Sequence, residues 1–452
     1  MIYYSLERIS FIFVERSAME NNHSKQTLKP KVLVLGASWE VEIFYRLLLE
    51  ENLAVLSFDR APALSEEIKS HPDLTCHHID FSQQDQVNAI IEKEHLDYSI
   101  AVPVGRALTA LGRINDTFKL NGPSFHAIDT LTDKHKLHLH LNAHHLNDHD
   151  FICLPDEAIK ADDSSCALPL SLRQLHSMVN TIEERFNYPL IIKPCYGSGS
   201  LGVSVIESRD DLLSYRLPER FKDDPVLVEQ YIYATEYLVN AFIDADGVCH
   251  SLGIYQKEMT LKPYRQELAY LSDDYAEDFK LIKPCIEELG KSLNLINSYV
   301  QADMFVNRQD GKVNIVDFSP RLTGNSIIDM QLTNKINPIA VFKRCVVDKQ
   351  PFVEFAKQEP ACMHFYDFRD CPEGSTYAHD DATSDAFLDA IFTSEERSHI
   401  ALIRNHLKKG DPLKAMTCGS DCARGYIITT GKTLEQATEL AKRYVRALSS
   451  QA

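Results

Sequence analysis

Basic residues are in short supply. The 452-residue chain sets 47 Lys and Arg against 65 Asp and Glu, a formal charge of −18 with His neutral. A surface of that sign repels phosphate backbones and anionic lipid, so neither nucleic acid nor a membrane is expected as a partner. Long apolar runs are missing as well: nothing approaches the roughly 18–20 uncharged residues that span a bilayer. Eleven cysteines run from Cys76 to Cys422 without one CxxC pair. Most sit in apolar stretches, as Cys195, Cys249 and Cys345 do. Unpatterned thiols of that kind suit a reducing compartment and predict a cytoplasmic protein. No G-x-S-x-G elbow surrounds any serine, so nucleophilic serine chemistry has no support. The first residues are not expected to act as a secretion signal, because Glu7, Arg8, Glu15 and Arg16 break the apolar stretch it needs. Residues 1–29 read as a disordered leader.

What is present divides into parts. VLVLGA (Val32 to Ala37) is an apolar run closing on glycine, a buried parallel strand entering a helix. A helical stretch at Phe44 to Glu50 and strands at Ala54 to Asp59, His77 to Ile79 and Tyr98 to Val102 continue a βαβα alternation. That alternation predicts a doubly wound parallel sheet over residues 30–128. GASWEV lacks the glycine spacing of a dinucleotide fingerprint, so this sheet is not expected to hold NAD. A helix is expected from Asp133 to His145, then a loose stretch from Cys153 to Pro169. The middle of the chain turns strongly β, and 129–350 is taken as one unit. Residues 351–452 form a smaller α+β unit ending in a strand (Gly425 to Thr429) and an amphipathic helix (Leu434 to Leu448).

Residues 197–202 read G-S-G-S-L-G. A Rossmann loop with that spacing opens a helix, but Val203 to Glu207 alternate as a strand. The glycines therefore join two strands, with Lys193 on the strand that enters the loop. This predicts a hairpin flap whose backbone N–H groups close over polyphosphate beside an ammonium group. A second hairpin is written in Val300 to Asn307 and Lys312 to Phe318. If Arg308 and Lys312 flank a three-residue turn with Gly311 in the left-handed position, Asp303 falls opposite Asp317. Two carboxylates about 5 Å apart on one face call for a cation between them. Strand alternation puts Ser319 and Arg321 on the face of Asp317.

These motifs occur in an order that resembles the ATP-grasp superfamily. PLIIKPCYGSGSLGV resembles its central strand and glycine flap, and TDKHKLHLHL its first nucleotide-lysine helix, with Lys134 as that lysine. VLVEQYIYATEYLV resembles the segment that grips adenine, and ADMFVN with VDFSPRLTGNS the paired metal-binding strands. The last hundred residues resemble the closing subdomain of biotin carboxylase-like members. The resemblance implies an α/β chain: a Rossmann-like sheet at 30–128, an ATP-grasp fold of two α+β subdomains with antiparallel sheets at 129–350, with its flap part at about 188–232, and the C-terminal α+β subdomain. It also departs from the family pattern, with Asp rather than Glu at both acid positions and Ser319 where Asn is usual.

Functionally, the resemblance implies a ligase that activates a small-molecule carboxylate as an acyl phosphate and joins it to an amine, often an amino acid, releasing ADP and phosphate. ATP is expected on Lys134, Lys193, the loop residues Gly197, Ser198, Gly199, Ser200 and Gly202, the segment Glu229, Gln230, Tyr231 and Ile232, and Glu236 at the ribose. Mg²⁺ or Mn²⁺ is expected on Asp303, Asp317 and Ser319. Arg321, with Asn325 beyond it, is expected at the transferring phosphoryl group. YQKEMTLKPYRQELAYLSDD resembles the strand-loop that supplies Lys257 to phosphate and Glu267 to the amine, with Tyr264 and Arg265 toward a substrate carboxylate. Bicarbonate activation and nucleotide binding without turnover are the alternatives. The oligomeric state is left open, with a homodimer the commoner arrangement among relatives. The histidines between His135 and His149 read as part of a polar helix near the nucleotide lysine.

Overall fold

The computed structural model describes residues 29–103, 107–147, 150–155, 169–197, 199–322, 324, 326–355 and 357–449. The leader up to residue 28, most of the loose stretch before Pro169, Ser198 and Asn325 lie outside them. Three sheets carry the architecture. The first is parallel, in the order β3-β2-β1-β4, from β1 (Lys31–Leu35), β2 (Ala54–Asp59), β3 (Leu74–His78) and β4 (Tyr98–Ser99). Alternate residues of β1 feed different cores: Val32 and Val34 face one and Leu33 and Leu35 the other. Both faces are thus covered, as the uninterrupted apolar run required. β4 is shorter than expected, because the Ala101 carbonyl leaves the ladder to accept the Leu322 N–H at 3.0 Å. The carboxyl end of this sheet is thereby stitched to the loop that carries Arg321.

The second sheet is antiparallel, from β5 (Phe151–Leu154), β6 (Leu190–Pro194), β7 (Ser204–Ile206) and β8 (Val226–Gln230), in the order β5-β8-β6-β7. Three short helices, Leu170–Ser177, Val179–Arg185 and Arg209–Ser214, cover it and complete a separate core.

The third sheet has eight antiparallel strands. They are β9 (Thr235–Ile243), β10 (Cys249–Met259), β11 (Glu267–Ser272), β12 (Ser298–Asn307), β13 (Lys312–Ser319), β14 (Ala361–Phe365), β15 (Ile400–Asn405) and β16 (Gly425–Thr430), in the order β13-β12-β9-β10-β11-β14-β16-β15. The helix Ala276–Ser292 packs on β9, β10 and β12 through Ile282, Ile286 and Leu289. The C-terminal strands do not make a sheet of their own: β14 pairs with β11, and the helix Leu434–Leu448 covers the extension. Among the described residues no helix is long and apolar enough to cross a membrane.

Candidate active site

The second and third sheets face each other across a cleft of about 1150 Å³, part of it open to solvent. Each wall is built locally. At the helix Lys134–Ala143, the Asp133 carboxylate caps the first turn, accepting from His135 N at 2.9 Å and Lys136 N at 3.2 Å. Its second oxygen accepts the Tyr196 hydroxyl at 2.9 Å, which ties the helix start to the base of the glycine loop. Lys134 is thus aimed across the cleft, 3.2 Å from the Gly197 carbonyl and 3.7 Å from Asp317.

The glycine loop does join two antiparallel strands, β6 and β7, paired Leu190 to Ile206 and Ile192 to Ser204. Gly202 stands at φ +83°, and a Cβ there would come within 2.9 Å of the Pro194 ring. The loop tip meets an element the sequence gave no reason to place there. Gly419 N–H donates to the Gly199 carbonyl at 2.7 Å, and a Cβ on Gly419 would stand 2.7 Å from Gly199 Cα. The turn Gly419–Arg424 that makes this contact is braced by Asp421, which accepts from Thr417 N at 2.7 Å and from Arg424 at 2.6 Å.

Lys193 is 4% exposed and ion-paired with Glu229, itself as deeply buried. The far oxygen of Glu229 lies 3.2 Å from His138 Nε2. His138, read from sequence only as part of a polar helix, is buried and lines the cleft. Its helical spacing carried no signal for this, because Glu229 arrives from a strand far along the chain. Gln230, Tyr231 and Ile232 continue along the same wall, with the Gln230 amide spent on Asn187 and Pro189.

The opposite wall centres on Lys257, in β10. Its ammonium lies 2.9 Å from Glu236, 3.1 Å from Glu267 and 3.0 Å from Asp303. Burial works against that charge, but Asp303, Glu236 and Glu267 outweigh it and hold the Lys257 pKa well above the usual lysine range. Arg265 pairs with Glu236 at 2.5 Å and lies over the Phe305 ring, 5.2 Å from its centroid. It therefore does not stand free for a substrate carboxylate, and Tyr264 is 43% exposed. Burial raises the Glu236 carboxyl, yet Lys257 and Arg265 together bring it below the ordinary value.

Asp303 does face Asp317, by a route other than the one expected. The turn is four residues long, since Asn307 pairs with Lys312. Side-chain oxygens build it: Asn307 accepts from Gln309 N at 3.0 Å and Asp310 from Lys312 N at 2.9 Å. Carried through, that register would have set Asp303 against Val316. A β-bulge between Met304–Ile315 and Asp303–Asp317 admits one extra residue and restores the acid pair. Burial, then the neighbouring carboxylates, pushes the Asp303 carboxyl up to about 7 against the pull of Lys257. Burial also raises Asp317, but Lys134, Lys193 and Arg321 prevail and keep it below the usual carboxylate range. Arg321 lines the cleft beside them, donating to the Leu322 carbonyl at 2.8 Å. Ser319 pairs across the ladder with Gln301, and of the two it is Gln301 that lines the cleft.

Comparison with known proteins matches this geometry. Residues 186–329 match the ATP-grasp domain family. The D-alanine–D-alanine ligase of Acetivibrio thermocellus is 24% identical over 165 residues, 34% of this chain and 44% of that protein. The chain thus spans less than half the length of the curated relatives it matches. Among solved structures, an L-amino acid ligase from Bacillus licheniformis superposes over 93% of this chain and 98% of its own, with TM-score 0.66 and 14% identity. The biotin carboxylase domain of the Hydrogenobacter thermophilus 2-oxoglutarate carboxylase, solved with MgADP and bicarbonate, covers 90% of this chain and 88% of its own at TM-score 0.59 and 11% identity. The glycine hairpin with Lys193 and the opposed pair Asp303 and Asp317 fall within the matched segment, so residues 186–329 are similar to an ATP-grasp domain, and the chain shares its fold with the L-amino acid ligase.

Proposed function

We propose that the protein is an ATP-dependent ligase that joins a small-molecule carboxylate to an amine. The observation that carries this reading is the convergence, in one cleft, of the groups each step needs. Lys134, Lys193 and the glycine loop line one side, and Asp303, Asp317, Arg321, Lys257 and Glu267 the other. We assign Lys134 and Lys193 to the phosphates, the segment Glu229 to Ile232 to the adenine, and Glu236, fixed by Arg265, to the ribose. The flap Gly197 to Gly202 excludes water from the phosphates.

The residues present fit a hard divalent cation. Asp303 and Asp317 offer opposed carboxylate oxygens, and Mg²⁺ or Mn²⁺ held there neutralises phosphate charge during transfer. A substrate carboxylate oxygen then attacks the γ-phosphorus and ADP leaves. Arg321, always charged, lies where negative charge collects on the transferring group. The amine nitrogen attacks the acyl carbon, phosphate departs, and Glu267 is the carboxylate placed to take the amine proton. The protein supplies position and charge rather than a covalent intermediate of its own. The domain limits read from sequence, at 128 and 350, and a cytosolic location belong to the same proposal.

Activation of bicarbonate is a second reading, favoured by the likeness of fold to a biotin carboxylase domain solved with bicarbonate. One assay separates the readings. ADP release with Mg-ATP is measured against panels of amino acids, hydroxy acids with amines, and bicarbonate alone. Stimulation by a carboxylate and amine together supports the ligase, and stimulation by bicarbonate alone replaces it. If no substrate gives ADP, the nucleotide is bound without turnover.

A further inference from the structure

Gln301 and Asp303 stand two apart on β12 and so share a face. Ser319 and Asp317 oppose them on β13, pair for pair. Three of the four, Gln301, Asp303 and Asp317, line the cleft. Asp303 and Asp317 have lysine neighbours there, at 3.0 and 3.7 Å. Gln301 is different. Its amide oxygen is buried, and it has no hydrogen-bond partner among the described residues. A buried carbonyl oxygen left open at the floor of a cleft is an acceptor waiting for a donor or a cation.

The surroundings choose between those two. Gln301 stands beside Asp303 on one strand and opposite the strand of Asp317, and a cation shared with two carboxylates satisfies its oxygen as a phosphate oxygen, itself an acceptor, does not. A carboxamide oxygen is also a proper ligand for a hard divalent ion, and a better one than a neutral hydroxyl. The Ser319 side chain, one carbon long, does not line the cleft, whereas Gln301 reaches it from the facing strand. We infer that Gln301, not Ser319, supplies the third protein oxygen to a divalent cation held by Asp303 and Asp317. This rests on the nucleotide reading above and adds to it the residue that completes the cation site.

The test uses the full chain with ADP and Mn²⁺, free Mn²⁺ being read by its electron paramagnetic resonance signal. Gln301→Ala is expected to weaken Mn²⁺ about tenfold in the ADP complex and to leave ADP affinity in EDTA unchanged by calorimetry. Moving the amide across the ladder, in Gln301→Ala/Ser319→Asn, is expected to return Mn²⁺ affinity to within about threefold of the parent. Gln301→Met, which keeps the volume, repeats the measurement should the smaller side chain unsettle β12. Unchanged Mn²⁺ affinity in both single variants overturns the assignment. So does an equal loss of ADP affinity without metal, which makes Gln301 a nucleotide contact, and so does a double variant that stays weak. If the parent chain binds neither ADP nor Mn²⁺ with ADP, the nucleotide reading itself fails, an outcome distinct from all of these.

Discussion

Asp329 offers a test of the fold that does not depend on catalysis. It lies on the helix Ser326–Leu332, with Ile327 and Met330 of the same helix in the core beneath the parallel sheet. Its side chain is fully buried, and neither carboxyl oxygen has a hydrogen-bond partner among the described residues. The nearby polar groups serve one another instead. The Thr333 hydroxyl donates to the Asp329 main-chain carbonyl at 2.7 Å, and the Asn334 amide donates to the Tyr255 hydroxyl at 3.1 Å. Burial accordingly pushes the Asp329 carboxyl up to about 7, with only slight relief from Thr333. An aspartate in an unfolded chain titrates near 4, so the gap is about three pH units, worth about 4 kcal/mol at 1.36 kcal/mol each.

The sign follows from the raised value. The folded state holds this proton more tightly than the unfolded state, so the contribution to stability is full below about pH 4. It is lost progressively as pH rises to about 7. Asp329→Asn keeps the shape and removes the titration. Urea midpoints of parent and variant, measured between pH 4.5 and 8.5, are expected to converge at the acid end. They should separate above neutrality, with the variant the more stable by up to about 4 kcal/mol. Comparing the two chains cancels the titration of every other carboxylate. Parallel curves across that range would refute the reasoning, since they would mean the Asp329 charge is solvated in the fold.

Three further outcomes are expected. Asp317→Asn should lower ADP formation by about 10²–10³-fold while leaving metal-free nucleotide affinity within a few-fold, as read by calorimetry. Near-parental turnover would place the cation elsewhere. Lys193→Met strands the Glu229 carboxylate beside His138 and should cost about 3 kcal/mol in denaturant stability. Lys193→Met/Glu229→Leu should recover part of that loss, and a double variant as weak as the sum of both singles would deny that the two act as a buried pair. Gly419→Ala forces a methyl group to 2.7 Å from Gly199 Cα and should raise KM for ATP about tenfold, the worth of one hydrogen bond, with the nucleotide-free melting temperature unmoved. An unchanged KM would mean that the C-terminal turn does not hold the flap.

The parts of this molecule that sequence made legible are those in which local pattern and tertiary role coincide. The apolar run at Val32, the glycine hairpin and the final amphipathic helix each state their own burial, and the structure has them where the pattern put them. β10 is the opposite case. There the resemblance alone singled out Lys257, because a buried lysine resembles an exposed one until its partners are known. Those partners come from β9, β11 and β12, and only a finished sheet brings three strands' carboxylates to one ammonium. The contact between Gly199 and Gly419 is illegible for the same reason, since nothing short of the assembled fold sets one glycine against the other. The acid pair lies between these extremes. Asp303 was expected opposite Asp317 on a turn one residue too short, and the bulge at Val316 supplies the residue that the longer turn takes out of register. The two shifts of one residue cancel, so both carboxylates return to one face. The turn, set by the side chains of Asn307 and Asp310, is free to be whatever length its own hydrogen bonds prefer. The register at the acids is therefore set by the turn and the bulge together, and the turn length alone does not give it.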